Sequence, residues 1–347
     1  MIEWFSDYAL FLAQCMTVVA AVAAVAVIIA KSRNQHQQRG GRLQIRDRGE
    51  HFRRHREALE DASHAAGAQS KRIKARHKAR KAQRKTESRQ QEARRPVIWV
   101  LDFNGDLRAS RLPAFTEEIS AILLAAEEGD RVLLRLESGG GLVHAYGLAG
   151  AQLDRLRQAG LELTVSVDRV AASGGYMMAC CADRLLAAPF AVIGSIGVVA
   201  QIPNLHRFLK KNDVDVEVMT AGRHKRTLTL LGENSEEGRR KFLEDLEQTH
   251  ELFKSWVSER RPQLDIEAVS EGEIWYGQRA LERALIDEVT TSDSWLQTCS
   301  EQWRILEVSL KPQRSLAERL GRGSSAALER GIDSAIERLA RLRFEKQ

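Results

Sequence analysis

The chain has 347 residues, of which 43% are hydrophobic and 29% are charged, and its formal net charge is +6. This length suffices for one sizeable hydrophobic core with appended segments. Its four cysteines have the spacing of neither a disulfide framework nor a zinc site, so those two classes are excluded and we expect no metal.

An almost wholly apolar run covers residues 8–30. About 20 apolar residues are enough to cross a bilayer as a helix, and Trp4 and Lys31 flank the run as interfacial anchors would. The acidic Glu3 lies where a cleaved signal peptide carries positive charge. The pattern therefore predicts an uncleaved membrane anchor over residues 1–30.

Residues 31–95 are crowded with Arg, Lys, His, Gln and Glu and hold few large apolar side chains. Such a segment cannot bury enough apolar surface to fold alone, so we expect a charged helix or a solvated linker. Its position beside a membrane helix favours anionic lipid as a partner over nucleic acid, for which no aromatic interleaving is present. The positive-inside rule would place the segments after the anchor in the cytoplasm.

After Pro96 the pattern alternates between strands and helices, which predicts an α/β domain of parallel strands joined by right-handed crossovers. The predicted strands are 97–103, 131–136, 163–167 and 214–220, with short apolar runs at 184–188 and 191–196. The predicted helices are 112–127, 142–158, 173–181, 205–210 and 236–261. A last helical pattern at 316–344 is typical of an oligomer-packing or interdomain helix, or of a membrane-surface helix.

Ser173 follows the predicted strand 163–167 and precedes Gly174 and Gly175. This order places its hydroxyl at a strand-to-helix turn, and the amides after it lie at the positive end of a helix, where an oxyanion would be stabilised. A helix cap is the alternative role for a serine in such a turn. As a nucleophile, the hydroxyl would need a base from elsewhere in the chain.

Three further motifs follow predicted strands or apolar runs. Ser138-Gly139-Gly140-Gly141 offers backbone N–H groups without side-chain obstruction, and it is a poor phosphate loop because no Lys-Ser/Thr follows. Gly194-Ser195-Ile196-Gly197 predicts a tight apolar turn. Thr220–Arg226 predicts a basic loop that includes Lys225.

Together these motifs resemble the S49 peptidase family, as does Trp275-Tyr276-Gly277. The resemblance covers the anchor, the basic linker and residues 97 to about 289. It implies a crotonase/ClpP-like fold. Two departures stand out: Gly139 replaces the usual proline, which loosens the loop, and Ala284 stands where glycine is common.

The resemblance also implies roles for individual residues. Ser173 corresponds to the nucleophile, Lys225 to the general base, and Ser195 to the serine that orients the lysine amine. The backbone N–H groups of Gly141 and Gly174 are the expected oxyanion hole, with Gly140 as the fallback. A lysine accepts a proton near neutral pH only when it is desolvated, so this mechanism needs a buried amine and no cofactor.

The sequence thus predicts a membrane-anchored serine endopeptidase of the bacterial inner membrane, acting on extended apolar peptides. Such substrates would be membrane-protein fragments, signal-peptide remnants or misfolded chains. Family members assemble into rings with sites built partly from neighbouring subunits, so a homo-oligomer is implied. The alternatives are a catalytically silent scaffold of the same fold and an acyl-CoA enzyme of the crotonase type. The predicted segments are an anchor (1–30), a linker (31–95), a peptidase domain (96–310) and a helical tail (311–347).

Overall fold

The computed structural model describes residues 41–63, 78, 95–222 and 224–312, and the chain divides into two compact units. The larger unit, residues 45–309, contains all of the predicted site residues. The smaller unit is described only at residues 41–44 and 310–312. The predicted anchor and nearly all of the predicted tail lie outside the described residues. Among the helices in the described ranges, none is long and apolar enough to cross a membrane.

The strands form one mixed sheet in the order β1-β10-β2-β3-β4-β6-β9, with β5, β7 and β8 branching from β3. Neighbours along β10-β2-β3-β4-β6-β9 are parallel, whereas β8 runs antiparallel to β7. The predicted α/β class is confirmed. The strands are β1 Gly41–Asp47, β2 Val97–Gly105, β3 Arg131–Ser138, β4 Glu162–Val167, β5 Val170–Ala172, β6 Arg184–Ala187, β7 Val192–Gly194, β8 Ile274–Tyr276, β9 Glu288–Val289 and β10 Arg304–Pro312.

Helices follow most of the long strands, as βαβ connections require. Part of the predicted linker is a charged helix, which begins after Asp47, whose carboxylate accepts a hydrogen bond from the Glu50 amide. The helices are α1 Arg48–Ala62, α2 Leu112–Ala125, α3 Val143–Gln158, α4 Gly174–Ala179, α5 His206–Lys211, α6 Glu236–Arg260, α7 Gly277–Glu282 and α8 Ser292–Cys299.

Both faces of the central strands are buried, which explains why they are nearly continuous apolar runs. Leu101, Leu134 and Val165 belong to the larger core cluster. The alternate residues Val100 and Leu133 belong to a smaller cluster that includes Trp295 of α8. The central strands are therefore fixed from both sides, and the loops after their carboxyl ends rest on a rigid frame.

The strand predicted at 214–220 is wrong. These residues have no regular secondary structure, and Val214 and Val218 are 46% and 45% exposed. The alternation of valines satisfies the pattern of a strand, but a strand also needs a neighbour for its backbone N–H and C=O groups. No strand of the described residues pairs with this segment.

Ala284 has a left-handed backbone, with φ of 58°. It ends α7 in a Schellman motif, in which the Leu285 amide donates to Ala280 and the Ala284 amide to Leu281. Because glycine adopts this conformation without strain, Ala284→Gly should raise the free energy of unfolding by about 1 kcal/mol. Chemical denaturation would measure it, with Ala280→Gly inside the helix as a destabilising control. A lower stability for Ala284→Gly would contradict the prediction.

Candidate active site

Two adjacent strands bring Ser173 and Ser195 together. β5 and β7 are parallel, with Ala172 opposite Gly194, so the two serines follow at matching positions. Neighbouring strands lie about 4.8 Å apart. The Ser173 amide also donates to the Gly194 carbonyl at 2.8 Å. The structure therefore places the predicted nucleophile beside the serine predicted to orient the base.

Both serines have a strained backbone, with φ of 53° at Ser173 and 51° at Ser195. Such a conformation costs about 1–3 kcal/mol and persists only where the surroundings impose it. Here the Met177 amide donates to the Ser173 carbonyl at 3.0 Å, and the Ser195 amide donates to Glu273 at 2.6 Å. The Ser173 hydroxyl is half-buried and has no hydrogen-bond partner among the described residues, so its O–H group is free to donate to a base.

The glycine loop closes against Ser173. Gly140 has φ of 92°, and a Cβ added there would lie 2.7 Å from both the Ser173 Cβ and the Gly174 amide nitrogen. A Cβ on Gly141 would lie 2.2 Å from the Leu107 carbonyl oxygen. Only glycine allows the loop to come this close to the serine turn. The loop and the first amides of α4 consequently share one side of Ser173.

Buried hydroxyl groups support the loop from beneath. The Tyr146 hydroxyl donates to the Asp106 carbonyl at 2.7 Å and lies 2.5 Å from the Ser138 hydroxyl. Burial raises the pKa of Tyr146, so the hydroxyl keeps its proton and its donor role. Ser138 in turn accepts from the Gly140 amide at 3.1 Å. These hydrogen bonds could not be predicted from the sequence, because the spacing of Tyr146 in α3 is that of an ordinary apolar core residue.

The three predicted oxyanion donors differ in their surroundings. The Gly140 amide is engaged within the loop by Ser138. Gly174 is the first residue of α4, where an amide has no acceptor within the helix. Gly141 lies where the loop meets the Leu107 backbone. The assignment of Gly141 and Gly174, with Gly140 as fallback, stays a prediction.

Lys225 lies on an irregular loop and is exposed, and its amide donates to Gly222 at 3.1 Å. In the ranges that the structure describes, its ammonium group makes no hydrogen bond or ion pair, so no contact joins it to Ser173 or Ser195. The structure thus brings together the predicted nucleophile Ser173, Ser195 and the glycine loop. It does not bring the predicted base to them within one chain.

Cys180 is the other nucleophilic side chain near Ser173 in sequence. It is fully buried in the core, and burial raises the pKa of its thiol well above the ordinary value. A buried, protonated thiol is unreactive. Its role is packing at the end of α4.

Family models and curated relatives identify this chain's family. The model "Peptidase family S49 N-terminal" matches residues 3–153, and "Peptidase family S49" matches residues 155–305. Probable protease SohB of Haemophilus influenzae is 48% identical over 325 residues, covering 91% of this chain and 92% of that protein. The chain belongs to peptidase family S49. The S49 resemblance predicted from the motifs is confirmed, and it supports a protease.

Further comparisons cover a smaller share of this chain. Probable protease SohB of Buchnera aphidicola subsp. Schlechtendalia chinensis is 60% identical over 201 residues, which cover 58% of this chain and 66% of that protein. Among solved structures, the 1510-N membrane-bound stomatin-specific protease aligns with 66% of this chain and 97% of that chain, at 12% identity and a TM-score of 0.40.

Proposed function

We propose that this chain is a serine endopeptidase of the crotonase/ClpP-like fold that uses a Ser173–Lys225 dyad. The observation that carries the proposal is the strained Ser173, whose hydroxyl has no partner among the described residues and adjoins the glycine loop. Strained backbone of this kind concentrates at active sites, because it aims a side chain in a way that ordinary turns do not.

The reaction follows from these groups. The Ser173 oxygen attacks the scissile carbonyl carbon while its proton passes to the neutral Lys225 amine, which Ser195 orients. The amides of Gly141 and Gly174 stabilise the oxyanion, each lowering the activation barrier by about 3 kcal/mol. The protonated lysine then gives its proton to the departing amine. Water hydrolyses the acyl ester by the reverse sequence, and no metal or cofactor takes part.

The base would come from a neighbouring copy of the chain. The Lys225 loop rests on the start of α6, where a Cβ on Gly238 would lie 2.2 Å from the Thr227 carbonyl oxygen. The other end of α6 contacts the nucleophile helix through Trp256 and Met177, at 2.9 Å. Gly238 and Trp256 are separated by 18 residue steps, or about 27 Å of helix, so the Lys225 loop and the helix that follows Ser173 contact opposite ends of α6.

An exposed apolar surface supports an oligomer. The segment 199–231, which includes Lys225, holds nine large hydrophobic side chains that are at least 40% exposed. Surfaces of this kind mark interfaces. Covering the segment with a second copy would also desolvate the Lys225 amine, as its role as a base requires. The nine are Val199, Ile202, Leu205, Phe208, Val214, Val218, Met219, Leu230 and Leu231.

The surface beside the glycine loop favours apolar peptides. Leu107, Leu142 and Val143 are 68%, 42% and 40% exposed, and the Leu142 amide donates to the Leu107 carbonyl. These side chains can pack against apolar residues of an extended chain. We therefore propose that the substrates are membrane-protein fragments, signal-peptide remnants or misfolded proteins, reached from an anchor over residues 1–30 in the bacterial inner membrane.

Substituting Ser173 tests the proposal. In the full-length protein, Ser173→Ala should lower the hydrolysis of casein and of an apolar peptide panel by at least about a thousandfold, because no other group can form the acyl ester. Ser294→Ala, at an exposed serine of α8, should retain full activity. Hydrolysis that survives Ser173→Ala excludes this nucleophile. Hydrolysis absent from the unsubstituted protein as well would favour the silent scaffold.

A further inference from the structure

The nucleophile helix α4 has only six residues, so its position depends on what holds its carboxyl end. The Met177 amide donates to the Ser173 carbonyl, which makes Met177 the residue that closes the first turn after the nucleophile. The amides of Cys180 and Cys181 donate to the carbonyls of Tyr176 and Met178, respectively. The Met177 carbonyl is thus left for side chains, and the thiols of Cys180 and Cys181 approach it as weak donors at 3.3 and 3.5 Å.

Trp256 of α6 supplies an N–H donor to the Met177 carbonyl. Its indole N–H donates to the Met177 carbonyl at 2.9 Å. Its ring also lies against Gly150 of α3, where an added Cβ would be 2.8 Å from the Trp256 Cζ2 atom. The indole consequently sits where α3, α4 and α6 meet, with its one polar group on the helix that carries Ser173.

Arg260 and Asp154 fix the indole in turn. The Arg260 guanidinium stacks over the Trp256 ring at 3.2 Å from the centroid and pairs with Asp154 of α3 at 2.6 Å. Both charged side chains are largely buried, at 11% and 20% exposure, so water weakens the pair little. α3 begins directly after the glycine loop, at Val143. Trp256, Arg260 and Asp154 therefore connect α3, which follows the glycine loop, to α4, which follows Ser173.

We propose that Trp256 is a positioning residue that sets the Ser173 hydroxyl against the glycine loop. This inference rests on the proposed role of Ser173 and adds a residue that touches neither substrate nor reacting atoms. A displacement of the nucleophile by a fraction of an ångström slows attack strongly, while peptide binding along the loop is unaffected. Losing the indole N–H should hence lower kcat and leave KM unchanged.

The test is Trp256→Phe in the full-length protein, which keeps an aromatic ring and removes the N–H group. We expect kcat for an apolar peptide to fall about tenfold with KM unchanged. Trp303→Phe is the matched control, because Trp303 also lies under an arginine, Arg131, and its buried N–H has no partner among the described residues. Its kcat should equal that of the unsubstituted protein.

The outcomes separate this inference from the proposed function. Equal kcat for Trp256→Phe and the unsubstituted enzyme overturns the positioning role, and so does a similar fall in both tryptophan variants. Should Trp256→Phe fold poorly, Asp154→Asn, which uncouples Arg260, gives the second measurement, with an expected kcat fall of about threefold at constant KM. Failure of the proposed function itself shows as Ser173-independent hydrolysis in every variant.

Discussion

Mixing the Ser173→Ala and Lys225→Ala variants should restore peptide hydrolysis that neither has alone. If each site combines Ser173 of one copy with Lys225 of the next, a random mixture in equal amounts regenerates about a quarter of the intact sites. A dyad within one chain regenerates none, because every chain lacks one partner. Co-expression with two affinity tags, tandem purification and measurement of hydrolysis per mole of protein would give the result.

Two observations would contradict this prediction. One is inactivity of mixed oligomers that demonstrably contain both variants, which would put the serine and the lysine of each site on one chain. The other is full activity in a monomer, observed by sedimentation under assay conditions. The matched control pairs Ser173→Ala with Ser173→Gly, which should stay inactive because no chain then supplies a nucleophile.

Most of the strands and helices between residues 97 and 194 could be predicted from sequence, although β5 was not predicted and β6 and β7 were predicted only as short apolar runs. Buried parallel strands must be apolar on both faces, so the runs that became β2, β3 and β4 carry a strong local signal. The helices α2 and α3 follow at the spacing that crossovers need. In this region the local pattern and the tertiary environment agree, which is why the predicted and observed boundaries differ by only a few residues.

Other elements depend on partners distant in sequence. β8 has three residues, and two of them, Ile274 and Tyr276, are 50% exposed, so their pattern is no different from that of a loop. β1 lies in a stretch whose composition suits a linker, yet it pairs with β10 at the other end of the chain. The valines of 214–220 show the reverse case, since they have a strand pattern without a strand to pair with in the described residues.

The site required both kinds of information. Motifs and the family resemblance pointed to Ser173, Ser195 and the glycine loop. Their adjacency follows from the β5–β7 register, which no local pattern encodes. Trp256 was missed because an aromatic residue on an amphipathic helix predicts core packing and not a hydrogen bond to a distant carbonyl. The proposed role of Lys225 depends on a second copy of the chain, which no pattern within one sequence describes.

Arg261→Ala should lower the free energy of unfolding by about 1 to 3 kcal/mol, because it removes the hydrogen bonds of a buried guanidinium and leaves the Asp287 carboxylate, whose side chain is 31% exposed, with the Leu185 amide but without its charged partner. Arg261 is only 2% exposed and makes two hydrogen bonds to Asp287, each of 2.8 Å, and a third to the Ala284 carbonyl. Partial burial disfavours the charged Asp287 carboxylate, but the hydrogen bonds from Arg261 and from the Leu185 amide outweigh this and hold its pKa below the ordinary 3.8. Denaturation of the full-length protein, followed by tryptophan fluorescence, would measure the loss.

The pH dependence distinguishes a lost ion pair from lost packing. A lowered folded-state pKa means that Asp287 stabilises the native protein above pH 3.8 and that this contribution disappears as the pH falls below it. The difference between Arg261→Ala and the unsubstituted protein should therefore persist from pH 7 to about pH 4 and shrink as the pH falls below 3.8, where protonation of Asp287 removes the ion pair. Adding Asp287→Asn to Arg261→Ala should recover part of the stability at neutral pH. A deficit that is the same above and below pH 3.8 and in the double variant would mean that Arg261 acts only by filling space.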